Sequence, residues 1–135
     1  MTWMRALIPA FLLIASLSGA HAAPMDSSTH RTLLQEGQSA FDQGTSLRLT
    51  DPAAATASFQ MAAQRWNQLI DDGVVNGPLL YDLGNAYVLS GDLGRGIAAY
   101  LRAQRLMPGD PRLAENLAHA RTQVKSQFER SDGSA

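Results

Sequence analysis

Cysteine is absent from the sequence, and its absence removes several kinds of site at once. The chain has 135 residues and no cysteine, so neither a disulfide nor a thiolate metal site can form within it. A chain without disulfides must obtain its stability from its core. The length corresponds to one domain.

An excess of charge of either sign is also lacking. The sequence contains 11 Lys and Arg residues against 12 Asp and Glu residues. A nucleic-acid-binding surface requires a basic patch or stripe, and this balance does not indicate one. We therefore expect no nucleic acid among the partners of the protein.

A hydrophobic run long enough to cross a membrane is lacking as well. The longest apolar segment, residues 6–17, has 12 residues, whereas a membrane-spanning helix needs about 20. Arg5 precedes this segment, and the small residues Ala20 and Ala22 follow it. The order of positive charge, apolar run and small residues is typical of a secretory signal peptide.

We therefore interpret residues 1–22 as a signal peptide that is removed after Ala22. The mature protein is then expected to be periplasmic and to have no membrane span of its own. The alternative is an uncleaved N-terminal segment that anchors the protein in the membrane.

Apolar residues in the mature chain recur at helical spacing, and no strand pattern is present. Asp-Pro pairs at 51–52 and 110–111 are typical helix starts, because Asp caps the first turn and Pro is tolerated there. Short links between amphipathic helices make neighbouring helices antiparallel. The pattern predicts an all-α, antiparallel helix-turn-helix array with helices at about 30–43, 52–72, 78–90, 93–106 and 111–130.

This interpretation divides the chain into four parts. After the signal peptide at 1–22 come a disordered lead-in at 23–29, a helical domain at 30–130 and a disordered tail at 131–135. Gly44 and Thr45 are expected to end the first helix, so that residues 44–51 form a loop.

The two helices within residues 77–110 carry a set of residues at fixed spacings: Leu80, Leu83, Gly84, Tyr87, Gly96, Tyr100, Ala103 and Pro108. Their order resembles the signature of the tetratricopeptide repeat (TPR), a helix-turn-helix unit of 34 residues. The resemblance implies that these residues pack the two helices of one repeat together. The family often has Trp in place of Leu80 and Ala in place of Gly96.

The flanking helices extend the resemblance to about two repeats and a capping helix. Residues 62, 66 and 69 repeat the small, aromatic and apolar pattern 34 residues earlier, and the fifth helix resembles a half-repeat. Terminal repeats need a polar outer face, which Arg121, Lys125 and Arg130 would supply. Repeat arrays usually need about three units for stability. We therefore expect the protein either to form a homo-oligomer or to be stabilised by its partner.

The segment at 77–97, together with residues 115–117, resembles TPR proteins of the Bacteroides aerotolerance operon type. Members of that group are exported and are encoded with von Willebrand A-domain membrane proteins. The resemblance implies that the protein works as a scaffold in a cell-envelope complex and that such a membrane protein is a candidate partner.

The TPR resemblance also implies a concave groove, lined by the first helix of each repeat, that binds a partner protein or peptide. The residues that it places there are Tyr81, Asn85, Arg112, Asn116 and His119, with Val88 or Leu89 beside them. Some family members hold a carboxylate with Asn at the positions of Asn85 and Asn116. Those members have Lys where Tyr81 stands, so a carboxylate clamp is not expected. Alternatively, the two asparagines bridge neighbouring helices by hydrogen bonds.

Other polar residues do not indicate catalytic or metal chemistry. Asp71 and Asp72 are interpreted as a solvated helix end, because two adjacent acids alone do not form a metal site. His30 and His119 lie on separate predicted helices, so a zinc site is not expected. We expect no catalytic residue and no cofactor.

The remaining aromatic and basic residues have simpler interpretations. The spacing of Phe59, Trp66, Tyr87 and Tyr100 predicts packing between helices, whereas Tyr81 lies off the core stripe and is a candidate anchor for a partner. The basic residues Arg95, Arg102 and Arg105 are expected on a solvated convex face.

Two other functions remain open: an accessory protein or small hydrolase of cell-wall metabolism, and a purely structural subunit of a membrane complex.

Overall fold

A computed structural model describes residues 23–132 of the chain. The predicted signal peptide at 1–22 and the last three residues, 133–135, lie outside the described residues. Within the described range the protein is all-α, with five helices and no strand. The helices are α1 (Ser27–Leu47), α2 (Pro52–Asp71), α3 (Gly77–Leu89), α4 (Leu93–Leu106) and α5 (Pro111–Asp132).

The helices pack in chain order as two helix-turn-helix pairs followed by a last helix. Helix α1 packs on α2 and α3 packs on α4, while α2 contacts α3 and α4 contacts α5. Gly37 of α1 lies against Trp66, and Gly44, two turns later, lies against Phe59, which comes earlier on α2. The two helices therefore run in opposite directions, and the predicted fold class is confirmed.

The second pair has the same geometry. Gly84 of α3 lies against Tyr100, whereas Val88, one turn later on α3, lies against Gly96, one turn earlier on α4. A Cβ atom on Gly84 would lie 2.4 Å from the Tyr100 ring, and one on Gly96 would lie 2.6 Å from Val88 Cγ2. The absence of side chains at these two positions allows the helices to approach this closely.

The core consists of two clusters that meet along α3. One joins α1, α2 and α3 around Trp66, and the other joins α3, α4 and α5 around Tyr100. The Trp66 and Tyr100 side chains are only 1% and 2% exposed. Buried side chains of α3 therefore belong to both clusters, and this helix links the two ends of the array.

The turns follow the start and stop signals of the sequence. Asp51 and Asp92 each accept a hydrogen bond from a backbone N–H of the helix that follows them, at 3.0 and 3.1 Å. Gly73 and Gly91 have positive φ angles of 93° and 87°, which favour glycine. Helix α4 ends at Leu106, shortly before Pro108.

Helix α1 is longer than predicted at both ends. It begins at Ser27 because Asp26 caps it, accepting a hydrogen bond from the Thr29 N–H at 2.7 Å. The prediction of a disordered lead-in is therefore wrong for residues 27–29. The helix then continues to Leu47 and passes through Gly44, which is buried against Phe59. The prediction that Gly44 ends the helix is wrong because this glycine makes room for a ring.

Helix α5 also runs further than predicted, to Asp132, so residues 131 and 132 are helical and not part of a disordered tail. Its apolar stripe is buried from Leu113 to Ala120, but Phe128 is 66% exposed. Helix α5 has 22 residues and α4 has 14, a difference in length of about 12 Å. The end of α5 therefore extends beyond its neighbour.

None of the helices within residues 23–132 is long and apolar enough to cross a membrane.

Candidate partner-binding groove

A groove runs between α1 and α3, and α5 contributes to its lining at one end. One cavity of about 430 Å³ lies near the start of both helices, and a second of about 230 Å³ lies further along them. We call the two cavities together the groove, the first its entry section and the second its inner section. The entry section is lined by His30, Arg31, Leu34, Leu69, Val74, Asn76, Pro78, Leu79 and Asp82. The inner section is lined by Phe41, Asn85, Val88, Leu89, Tyr100, Asn116 and His119.

Both sections follow the same faces of the two helices. On α3, Pro78, Asp82 and Asn85 are spaced by four and three residues, so they lie on one face. On α1, Leu34 and Phe41 are seven residues apart and also share a face. The groove therefore follows α3, whose 13 residues span about 20 Å.

Four polar side chains from three helices form a hydrogen-bonded network at the inner section. The Tyr100 hydroxyl of α4 donates to Asn85 Oδ1 on α3 at 2.7 Å. Asn116 Nδ2 of α5 donates to the same oxygen and to the Tyr81 hydroxyl oxygen, both at 3.0 Å. Burial raises the pKa of Tyr100, so its phenol keeps the proton that it donates. Asn85 and Asn116 therefore bridge neighbouring helices, as the alternative interpretation predicted, while also lining the inner section.

Tyr81 and Arg112 lie beside this network. The Arg112 guanidinium carbon lies 5.7 Å from the centroid of the Tyr81 ring, within the range of a cation–π interaction. Its Nη2 atom also lies 3.3 Å from Asp110 Oδ2. Tyr81 is half-buried, and both its ring and its hydroxyl already have neighbours. Tyr81 is therefore a fixed side chain next to the network, and it lines neither section of the groove.

Three of the five residues that the resemblance assigned to a groove line the inner section, whereas Tyr81 and Arg112 line neither section and lie beside the hydrogen-bonded network. Asn85, Asn116 and His119 line the inner section. Tyr81 is hydrogen-bonded to Asn116, and Arg112 lies over the Tyr81 ring. These residues and Phe41 lie on α1 and α3, the first helices of the two pairs, and on α5, the last helix.

Asp82 is a groove residue that the sequence interpretation missed. Asp82 lines the entry section and is half-buried. Burial raises the pKa of Asp82, and the charge of Arg112 offsets part of that shift. An acidic residue on a helix is usually solvated, so its type alone gave no signal. Its position between Pro78 and Asn85, on the face that lines the groove, could have identified it.

Asp72 contradicts the interpretation of residues 71–72 as a solvated helix end. Asp72 Oδ2 lies 2.6 Å from His30 Nε2, and both carboxylate oxygens accept from the Met25 N–H at 3.1 Å. The Asp72 side chain is only 14% exposed. These hydrogen bonds, that of His30 foremost, lower the pKa of Asp72. Asp72 therefore fastens the start of α1 to the end of α2, whereas Asp71 is exposed.

The side opposite the groove carries the basic residues of α4. The Arg95 guanidinium lies 4.8 Å from the centroid of the Tyr87 ring and also contacts Asp92 at 2.6 Å. Arg102 and Arg105 are exposed. A polar cleft of about 540 Å³ between α2 and α4 lies on this side and includes Tyr87, whose hydroxyl accepts a hydrogen bond from Asn67. Among residues 23–132, no group of three or more His, Asp or Glu side chains could hold a metal ion.

Comparisons with known proteins do not assign a family. No protein-family model matches the chain, and no curated protein is significantly similar to it. Membership of the TPR family therefore stays a prediction from the spacing of residues 80–108. The structure itself describes an all-α helical array.

Proposed function

We propose that this chain is an exported TPR-type scaffold that binds a partner protein through the groove during assembly of a cell-envelope complex. The observation that carries the proposal is the convergence of α1, α3 and α5 on one groove. Apolar side chains such as Phe41 and Leu89 line it together with a few polar groups. Hydrophobic grooves with a few fixed polar groups are typical binding sites for peptides and helices.

The packing within the second helix pair supports the TPR assignment. Gly84 and Gly96 occupy signature positions, and each is in close contact with the facing helix. Tyr100 is buried between α3 and α4. The spacing and the contacts agree, so the helical hairpin at 77–110 is suitable as a TPR unit.

The dimensions of the groove favour a short segment of a partner. A groove about 20 Å long accommodates about six residues of an extended chain, or about 13 residues of a helix. The network of Asn85, Asn116 and Tyr81 holds these polar groups in place before binding, which reduces the entropy lost on association. A von Willebrand A-domain membrane protein is a candidate partner because of the sequence resemblance.

Photocrosslinking in cells tests this function. A photoreactive residue would replace Tyr81, which is hydrogen-bonded to the groove residue Asn116, and the matched control would replace Arg102, which is exposed on the opposite side. We expect a discrete protein adduct from the Tyr81 position and none from the Arg102 position. Folded, exported protein that forms no adduct at either position would contradict groove-mediated binding.

A further inference from the structure

The entry section of the groove combines an apolar surface with a single carboxylate. Leu34, Val74, Pro78 and Leu79 supply apolar lining. Leu34 is 50% exposed although it faces this cavity. Asp82 is the one acidic residue of the lining.

Asp82 has no hydrogen bond or ion pair with any residue in the described part of the chain. The neighbouring polar groups are directed elsewhere. His30 is paired with Asp72 at 2.6 Å, and Arg112 contacts Asp110 at 3.3 Å. Arg31 lines the same cavity but is exposed and forms no ion pair with Asp82.

A half-buried carboxylate that accepts no hydrogen bond is costly, because it loses part of its hydration. Burial raises the pKa of Asp82; the charge of Arg112 offsets only part of this rise, and Arg112 forms its ion pair with Asp110 and not with Asp82. A cation entering from outside the chain would supply a hydrogen-bonding partner in direct contact with Asp82. Charge-assisted hydrogen bonds of this kind are stronger than those between neutral groups.

A metal ion does not fit this position, because a hard cation needs several oxygen ligands and Asp82 is a single carboxylate. A lysine or arginine side chain does fit. Such side chains cover apolar surface with their aliphatic stems while the charged head reaches a polar group. Leu34 and Pro78 provide that apolar surface beside the carboxylate.

We propose that the groove binds a segment of another protein that carries a lysine or arginine next to apolar residues, with the cation against Asp82 and an apolar side chain on Leu34. This inference rests on the proposed function, because it specifies the partner of the same groove. It requires the basic residue to lie in the segment that contacts the entry section.

Crosslinking from the entry section tests the inference in cells that produce the full chain. An apolar diazirine residue replaces Leu34, and mass spectrometry locates the attached partner segment. Asp82→Asn keeps the shape of the side chain but removes its charge, and we expect the adduct to fall about tenfold or more. Asp71→Asn is the matched control, because Asp71 is exposed and lies outside the groove; we expect the adduct to be unchanged.

Exchanging the charges of Asp82 and of the partner's basic residue separates loss of the charge pair from loss of folded protein. Asp82→Lys should abolish the adduct, and replacing the basic residue of the partner segment by Glu should restore it. Restoration excludes misfolding of the Asp82→Lys chain as the cause of the loss.

The outcomes separate this inference from the proposed function. An adduct with another protein that is unaffected by Asp82→Asn, or that maps to a segment without Lys or Arg, would overturn the inference and leave groove binding intact. An adduct formed with a second copy of this chain or within the same chain would also overturn it. No adduct from either Leu34 or Tyr81 would overturn the proposed function and this inference together.

Discussion

At the scale of single residues, Gly84 illustrates how a missing side chain determines the packing of a helix pair. Its α-carbon lies so close to α4 that an added Cβ would come within 2.4 Å of the Tyr100 ring. Tyr100 is 2% exposed and is hydrogen-bonded to Asn85, so its ring has little room to move. The close contact, more than helix propensity, explains why glycine suits this position.

Gly84→Ala is therefore expected to destabilise the protein by about 1–3 kcal/mol, the usual range for overpacking a core. Gly94→Ala is the matched control, because Gly94 lies in α4 and a Cβ there would meet no atom within 4 Å. We expect that control to stabilise by up to about 1 kcal/mol through helix propensity. Urea unfolding measures both changes, and equal stability of the two variants would contradict the contact.

The hydrogen bonds at Asp72 predict a dependence of stability on pH. The hydrogen bond of His30 and then the Met25 N–H lower the pKa of Asp72 in the folded protein. The stabilisation that these hydrogen bonds give to the folded protein is therefore fully present above the ordinary Asp pKa of about 3.9. It is lost as the pH falls through the lower pKa that Asp72 has in the folded protein. Asp26, whose pKa is lowered to about 2 mainly by the Thr29 N–H, loses its capping interaction over a similar acidic range.

Asp72→Asn isolates the contribution of Asp72 from that of Asp26. In this variant we expect the backbone amides in the first turn of α1 to be less protected from hydrogen exchange at neutral pH. On acidification, the variant should lose less of its remaining protection than the unsubstituted chain does. Hydrogen exchange between pH 2 and pH 7 measures this, with Asp71→Asn as the control. If Asp72→Asn and Asp71→Asn behave alike, the Asp72 contacts do not hold α1.

At the scale of helices, the predictions succeeded where polar caps mark the ends and failed where a glycine serves packing. The observed bounds of α4, Leu93–Leu106, are those predicted, because Asp92 caps its start and Pro108 follows its end. Gly44 was interpreted as a helix end but is an interior contact with Phe59. A sequence pattern does not distinguish these two uses of glycine, because the difference depends on the facing helix.

The sequence predicted some residues of the candidate groove and missed others. The TPR resemblance placed Asn85 and Asn116 on facing first helices, and the structure brings them within hydrogen-bonding distance. It did not identify Asp82 or the pairing of Asp72 with His30. Both depend on how α1 packs against the rest of the array, which the spacing within one helix cannot specify.

The hydrogen bonds of Asn116 are expected to secure α5 to α3. Asn116→Ala removes the donor to Asn85 and Tyr81, and a loss of about 1–3 kcal/mol is expected because part-buried groups lose their partner. Hydrogen exchange along α5 should show the effect. His119→Ala, one turn later and exposed, should change stability by no more than about 0.5 kcal/mol. Equal effects of the two substitutions would show that the network does not hold α5.

At the scale of the whole molecule, the chain leaves apolar side chains at sites where a longer array or a partner would cover them. Leu34 in the groove is 50% exposed, and Phe128 near the end of α5 is 66% exposed. Two helix pairs and one additional helix are fewer units than most repeat arrays use. These exposed side chains are the basis for the expectation that the protein associates with another chain.

We expect the protein either to form a homo-oligomer or to gain thermal stability when a partner binds, since a partner that binds only the folded state stabilises that state. Light scattering gives the mass in solution, and thermal unfolding with and without the captured partner gives the stabilisation. A monomer whose cooperative melting is unaffected by the partner would contradict this expectation.

The central claim is that α1, α3 and α5 form one binding surface for one partner. Photocrosslinkers at Leu34, Tyr81 and His119 place one probe on each of these helices, and a fourth at Arg102 serves as the control on the opposite side. The account predicts that the probes at Leu34, Tyr81 and His119 capture the same partner protein and that the probe at Arg102 does not. Capture of unrelated proteins at the three positions, or equal capture at Arg102, would contradict it.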